Sequence, residues 1–220
     1  MMQLCGLDIH PCLSGAAWLP AYGALLVADL HLEKGSSRAR FGVHLPPYDT
    51  CAGLGALQAA VNRWQPARVI LLGDSFHDGG GPERMDAGDR AALEAIGAQT
   101  ELVWISGNHD PDLPASLPGR HACELALGPL TLRHEPTVRA GAEIAGHLHP
   151  AASIVRRGRK VRAKCFVLAS NRLILPAFGA YTGGLDVRHA AFRPLLPGDA
   201  FKVVMVGRAS LHVLPGRAVL

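Results

Sequence analysis

Nothing in this 220-residue chain supplies a zinc ribbon, a dithiol redox pair or a membrane anchor. Its five cysteines (Cys5, Cys12, Cys51, Cys123, Cys165) are scattered and odd in number, with no Cys-x-x-Cys pair. That excludes a disulfide framework as well as the common zinc and thioredoxin-like motifs. They are expected as reduced, mostly buried small hydrophobes. Long apolar runs are missing too. The longest, from Gly15 to Ala28, contains Pro20 and stops at Asp29, too short and too interrupted to span a bilayer. The opening MMQLCGLDIH has no basic stretch, and Asp8 stands where the apolar core of a signal peptide would lie. A cytoplasmic protein with no membrane partner is expected. Lysine is scarce, 4 against 18 arginines. Aromatic residues make up only 5%.

What is present is an apolar chain, 49% hydrophobic and 18% charged. That excludes global disorder. The length suits one domain, residues 1–220, burying roughly 70% of the surface of its unfolded chain. The net charge of +4 hides an asymmetry. Residues 1–132 carry 8 Lys+Arg against 14 Asp+Glu, a net −6; residues 133–220 carry 14 against 4, a net +10. The C-terminal part therefore suits an anionic partner. Arginine, which contacts phosphate bidentately, dominates the basic residues.

Three apolar runs read as buried strands: Ala24 to Ala28, Arg68 to Leu72 and Leu102 to Ile105. Leu54, Leu57, Val61 and Trp64 recur at helical spacing between them, and Arg90 to Gln99 reads as a second helix. This alternation predicts a largely parallel α/β sheet. Beyond residue 120 the pattern changes to short strands: Ala122 to Leu127, Leu130 to His134, Glu143 to Ala145, Lys164 to Ala169, Arg172 to Leu175, Lys202 to Val206 and Ser210 to Leu214. A second sheet packed on the first would make an α/β sandwich.

Eleven histidines are the conspicuous excess. Five polar clusters follow apolar runs: Asp29-Leu-His31, Gly73-Asp-Ser-Phe-His-Asp78, Gly107-Asn-His-Asp110, His134-Glu-Pro136 and Gly146-His-Leu-His-Pro150. In open α/β sheets, chemistry sits beyond the carboxyl ends of strands. Carboxylates, one amide and imidazoles suit two cations such as Mn²⁺, with Fe or Zn²⁺ as alternatives. On an extended backbone, Asp-x-His and His-x-His would project both side chains to one face.

With these clusters in place, the chain resembles the calcineurin-like metallophosphoesterase superfamily, whose pattern D-x-H, G-D, G-N-H-[DE], H, G-H-x-H runs complete from Asp29 to His149. Asp29-Leu-His-Leu-Glu-Lys-Gly35 and Phe178-Gly-Ala-Tyr-Thr-Gly-Gly-Leu-Asp186 are similar to words of the ligase-associated DNA-damage-response phosphoesterases. The resemblance implies a sandwich of two mixed sheets flanked by helices. It implies one metal on Asp29, His31, Asp74 and His149, and a second on Asp74, Asn108, His134 and His147, with Asp74 bridging. It implies hydroxide attack on phosphorus while His109 assists the leaving group. A carboxylate would hold His109 protonated; Asp78 is the first candidate, and His77 or Asp110 can substitute. Asp78 lies one residue later than in many family members. Arg133 points either outward or toward a phosphate.

Six of nine residues from 156 to 164 are basic: Arg156, Arg157, Arg159, Lys160, Arg162 and Lys164, with Gly158 as a turn. They form either a solvated hairpin or a strip against a nucleic-acid backbone. Aromatic interleaving is nearly absent there, so no base-stacking platform is evident. Lys34, Arg38 and Arg40 either line the cleft or sit on an exposed loop, and Tyr181 either reaches the site or is a core tyrosine. The expectation is a dimetal phosphodiesterase, a DNA endonuclease of DNA repair. The alternative is a phosphodiesterase or phosphatase for a small phosphoester such as a nucleotide. DNA is the expected partner. Exposed edge strands would allow a homodimer, and the resemblance adds repair ligase, helicase or exonuclease neighbours.

Overall fold

A computed structural model describes residues 1–138 and 141–220. The first sheet has seven strands in sequence order: β1 (Met2–Leu4), β2 (Leu7–Pro11), β3 (Ala17–Leu19), β4 (Ala24–Val27), β5 (Arg68–Leu72), β6 (Glu101–Ile105) and β7 (Arg120–Ala122). β1 to β4 pair antiparallel; β4 to β7 pair parallel. The parallel strands are continuous apolar runs because both faces are covered. Leu26, Ile70, Leu72, Val103 and Ile105 face the second sheet. Leu25, Val27, Val69, Leu71 and Trp104 face the helix layer.

That layer is α2 (Asp49–Trp64) and α4 (Ala87–Gln99), preceded by short α1 (Lys34–Ala39) and α3 (Gly81–Arg84). α2 buries Leu54, Leu57 and Val61 on one stripe. α4 begins at Asp86, whose side chain accepts the Asp89 N–H.

The second sheet has nine strands: β8 (Leu125–Leu127), β9 (Leu130–Arg133), β10 (Glu143–Ala145), β11 (Pro150–Arg156), β12 (Arg159–Leu168), β13 (Arg172–Ile174), β14 (Leu185–Asp186), β15 (Lys202–Val206) and β16 (Leu211–Pro215). Its order is β14-β11-β12-β13-β10-β9-β8, with β15 also on β12 and β16 on β15. β9, β10 and β13 run parallel, so this sheet too is mixed. Leu130, Leu132, Ile144, Phe166 and Leu173 meet the first sheet.

The architecture is the expected two-sheet sandwich, with one refinement. Among the described residues α-helices flank only the first sheet. Against the outer face of the second lie Phe192, Leu195, Leu196 and Phe201 from a stretch without α-helix. The run from Ala122 to Leu127, expected as one strand, is divided between the sheets: β7 pairs β6, and β8 pairs β9. Among the described residues no helix is long and apolar enough to cross a membrane.

Candidate metal centre

All five polar clusters lie at or just beyond the carboxyl ends of strands: Asp29 and His31 follow β4, Asp74 follows β5, Asn108 and His109 follow β6, His134 follows β9, and His147 and His149 follow β10. The seam between the sheets therefore collects side chains from both.

The backbone there is not extended. Asp29, His31, Asp74, His147 and His149 have φ of 54°, 47°, 48°, 67° and 45°. The left-handed region costs non-glycine residues free energy and persists only where surroundings over-determine it. The expected single-face projection from extended chain is thus corrected. The chain has left its sheet at these positions and turns at each left-handed residue. Leu30 still packs into the helix-side core between the two polar residues.

The surroundings that hold this geometry are visible. His31 N–H donates to the Asp74 carbonyl at 2.9 Å, and Leu32 N–H to Ser75 at 2.8 Å. The Asp29 carboxylate accepts the His147 N–H at 3.1 and 3.0 Å, joining the sheets. Asp74 Oδ1 accepts the His109 N–H at 2.9 Å. Gly107 has to be glycine, because a Cβ there would stand 2.1 Å from the Asp74 nitrogen.

Two groups of ligand atoms share Asp74, each with its members within 4.8 Å of one another: Asp29, His31, Asp74 and His149, and then Asp74, His134 and His147; a third group, His31, His77 and His109, adjoins the first through His31. In the first, His149 Nε2 lies 3.2 Å from Asp29 Oδ1 and 3.3 Å from His31 Nε2. In the second, His134 Nε2 lies 3.4 Å from Asp74 Oδ1. Asn108 Oδ1 joins it, 2.9 Å from His134 Nε2 and 3.0 Å from His147 Nδ1. All seven candidate ligands thus meet.

The donor set fits a metal ion. His134 Nδ1 donates to the Leu72 carbonyl at 3.0 Å, which leaves Nε2 with its lone pair toward the cluster. Burial, then neighbouring imidazoles, hold His31 down to about 2; burial, then His134, lowers His147. Both stay neutral, the form a metal takes.

His109 is on the open side. Its Nδ1 lies 2.8 Å from the His77 carbonyl oxygen, which can only accept, so Nδ1 carries the proton. Nε2 points toward Asp74 Oδ2, 4.0 Å away. Among the described residues no carboxylate contacts Nδ1. Asp78 is engaged by Arg84 in two bonds of 2.8 Å; despite burial, those bonds bring its pKa down to about 2. Asp110 is fully buried and accepts three backbone N–H groups at 3.0 Å, from Asp74, Phe76 and Gly107. It fixes the loops rather than His109. Burial raises its pKa to about 6, with Asp74 adding to the effect. His77 stacks on His109 with centroids 5.0 Å apart and lies 3.4 Å from His31. Mainly through burial, its pKa falls to about 4.

The sequence reading missed Asp110 as a clamp. It also missed Glu33, left-handed at φ 61°, which binds Thr50 through its N–H and its carboxylate, each at 2.9 Å. The Asp110 bonds to Asp74 and Phe76 and the Glu33–Thr50 pair join residues far apart in the chain, and no local spacing announces them. Arg133 is settled: it pairs with Glu124 at 3.0 Å and with Glu143 at 3.7 Å.

The basic stretch is a hairpin, β11 on β12, with Arg157 and Gly158 left-handed at its turn. Its register divides the charges. Cross-strand partners share a face and neighbours alternate. Lys160, Arg162 and Lys164 share one face, while Arg156 and Arg159 share the other. The first row leads to a cavity of about 180 Å³ lined by Arg162, Lys164, Thr182, Gly183 and the candidate ligand His149. Lys164 is spent there, donating to the Ser14 and Ala177 carbonyls at 2.9 and 3.3 Å. Arg162 donates to the Gly184 carbonyl.

A crystal structure of Pseudomonas putida nuclease MPE is similar to this chain at 31% identity and a TM-score of 0.74, over 97% of this chain and 98% of that one. The chain belongs to the metallophosphoesterase family. A conserved protein of Streptococcus pneumoniae TIGR4, described as a predicted phosphoesterase, is 14% identical over 89% of this chain and 90% of its own, with a TM-score of only 0.28. No family model and no curated protein matches the sequence. As a metallophosphoesterase the chain is a metal-dependent phosphoesterase enzyme, and its clustered Asp and His residues are a site that could bind a metal ion.

Proposed function

We propose that this metallophosphoesterase is a phosphodiesterase that cuts DNA internally, holding two divalent ions, manganese before iron or zinc, and serving DNA repair in the cytoplasm. The observation that carries the reading is the shared carboxylate: Asp74 belongs to both ligand groups, and His109 Nε2 stands 4.0 Å from it.

Asp29, His31, Asp74 and His149 would hold one ion, and Asp74, Asn108, His134 and His147 the other. Divalent ions in such a pair supply hydroxide at neutral pH and neutralise phosphoryl oxygens. The chain's own part is to orient and to move a proton. With Nδ1 fixed on the His77 carbonyl, a proton on Nε2 makes His109 an imidazolium beside the Asp74 carboxylate. That proton goes to the departing oxygen, a general-acid role. Asp78 and Arg84, paired with each other, position the loop that carries His77.

DNA is favoured over a small phosphoester by three observations. The centre is open, with His109 exposed. The net charge of residues 133–220 is +10. A relative matched over 98% of its own length is a nuclease. Lys160 and Arg162, on the face toward His149, are the phosphate contacts; Arg156, Arg157 and Arg159 add a more distant field. The repair role rests on the resemblance to ligase-associated phosphoesterases.

The test compares supercoiled plasmid, bis(p-nitrophenyl) phosphate and p-nitrophenyl phosphate with manganese and with chelator. The expected result is metal-dependent nicking and diester hydrolysis. Turnover of the monoester with intact plasmid would replace this reading with the small-phosphoester one.

A further inference from the structure

Ten large hydrophobic side chains are exposed among the described residues, and only two of them are aromatic, Phe41 at 78% and Tyr48 at 69%. Both belong to the same excursion, residues 34–50, which also exposes Val43. A chain with so few aromatics that buries or half-buries its three tryptophans has placed two rings in water on one loop.

The two ends of the excursion are tied to each other just after the candidate ligand His31. It leaves two residues after the ligand His31, at Glu33. It returns through Asp49 and Thr50, where Thr50 bonds Glu33 and Asp49 accepts the Gly35 N–H at 2.9 Å. Its far side is tied across: Tyr181 O–H donates to the Pro46 carbonyl at 3.0 Å. Tyr181 sits in the 179–184 loop, whose Gly179 N–H bonds the Asp29 carbonyl and whose Gly184 leads into the Leu185 N–H bond to His149. The loop therefore frames the centre from the His31 side to the His149 side. The Arg38 carbonyl accepts the Phe41 and Val43 N–H groups at 3.0 and 3.1 Å, which sets the turn that presents Phe41. Cations lie on the same excursion: Arg38 and Arg40 are exposed, and the charge of Lys34 is felt at His31 and His77.

We infer that Phe41 and Tyr48 are a stacking platform for nucleobases freed from pairing, with Arg38 and Arg40 holding the phosphates of the same strand. The inference rests on the proposed DNA substrate and deepens it. Flat rings beside cations take a π-face and its backbone together, whatever the base. A paired base keeps its faces inside the duplex and offers nothing to them. The occupant is thus an unpaired strand crossing from this loop over the metal centre.

The experiment measures binding of single-stranded, duplex and abasic oligonucleotides by fluorescence anisotropy in metal-loaded protein, with cleavage of each and hydrolysis of bis(p-nitrophenyl) phosphate alongside. Phe41→Ala/Tyr48→Ala is expected to weaken single-strand binding about 5- to 150-fold per lost stack, leaving duplex binding and the chromogenic diester unchanged. On the abasic strand the substitution should have no effect, because the base it would release is already missing. Phe41→Tyr/Tyr48→Phe, which keeps both rings, should restore binding. Equal losses on duplex and single strand, an undiminished single-strand affinity, or the same loss on the abasic strand would overturn the platform. Parent protein that binds single strands without cutting them would sink the nuclease reading and leave the platform standing. Parent protein that binds no nucleic acid would sink both.

Discussion

The seam and its rim are built on opposite terms. In the seam Asp29, Asp74, His31 and His134 are buried, and most ligand loops are pinned by backbone bonds to the opposite sheet or the adjacent strand. On the rim Phe41, Tyr48, Arg156, Arg157 and Lys160 lie in water. The difference separates two tasks. Chemistry needs atoms held to fractions of an ångström, so it uses loops with no freedom. Selecting a polymer of any sequence needs charge and flat surface, which exposed side chains supply without fixed geometry.

The comparison breaks first, and most completely, at Asp74. Asp74→Ala should bring turnover on every substrate to background and leave neither ion tightly held, because one carboxylate serves both groups and also receives the His109 N–H. Metal analysis that still finds two firmly bound ions would dissolve the distinction. His109→Ala should cost on the order of 10²- to 10⁴-fold with alkoxide leaving groups while metal content stays whole. With nitrophenolate, which needs no proton, the loss should be small; equal losses on both would remove His109 from the leaving-group side. The rim gives the smallest effects, and they should be unequal within the hairpin. Neutralising Lys160 and Arg162 should lower the slope of log K against log salt by about 0.7–0.9 per contact. Neutralising Arg156 and Arg159, on the opposite face, should do less, and the chromogenic diester should register neither. Identical slopes for the two pairs would mean that the register does not govern the contact.

The same contrast explains what was legible. β5 and β15 were read to the residue, because uninterrupted β-branched and leucine runs between polar clusters have few other interpretations. The seven ligand candidates were legible because residue type and order carry their chemistry. Their backbone was not: left-handed turns at Asp29, His31 and His149 come from bonds to Gly73, Asp74 and Leu185, which lie far away in sequence. The short strands β1 to β3 passed unnoticed, since three to five residues hold too little periodicity. The run Ala122 to Leu127 looked like one strand because nothing local marks Cys123 and Glu124 as the crossing between sheets. The family pattern points to Asp78 as the carboxylate beside His109, with Asp110 as a substitute, and nothing local reveals that Arg84 and the backbone amides claim both. Phe41 and Tyr48 went unweighed because aromatics were sought only beside the basic hairpin, whereas both lie on the 34–50 excursion.

Because the seam draws Asp29, His31, Asp74 and Asn108 from one sheet and His134, His147 and His149 from the other, an ion seated there is also a rivet between two layers. The unfolded chain has no such array, so a ligand of the folded form alone adds RT ln(1 + [L]/Kd), about 2.7 kcal/mol at a hundredfold excess over Kd. The midpoint of thermal unfolding should therefore climb with the logarithm of free manganese and drop on chelation, even in His109→Ala, where turnover is crippled and the rivet is intact. A midpoint indifferent to metal would mean that the two layers hold together without it. If the midpoint responds, the melting temperature becomes a gauge of how much metal the surroundings provide.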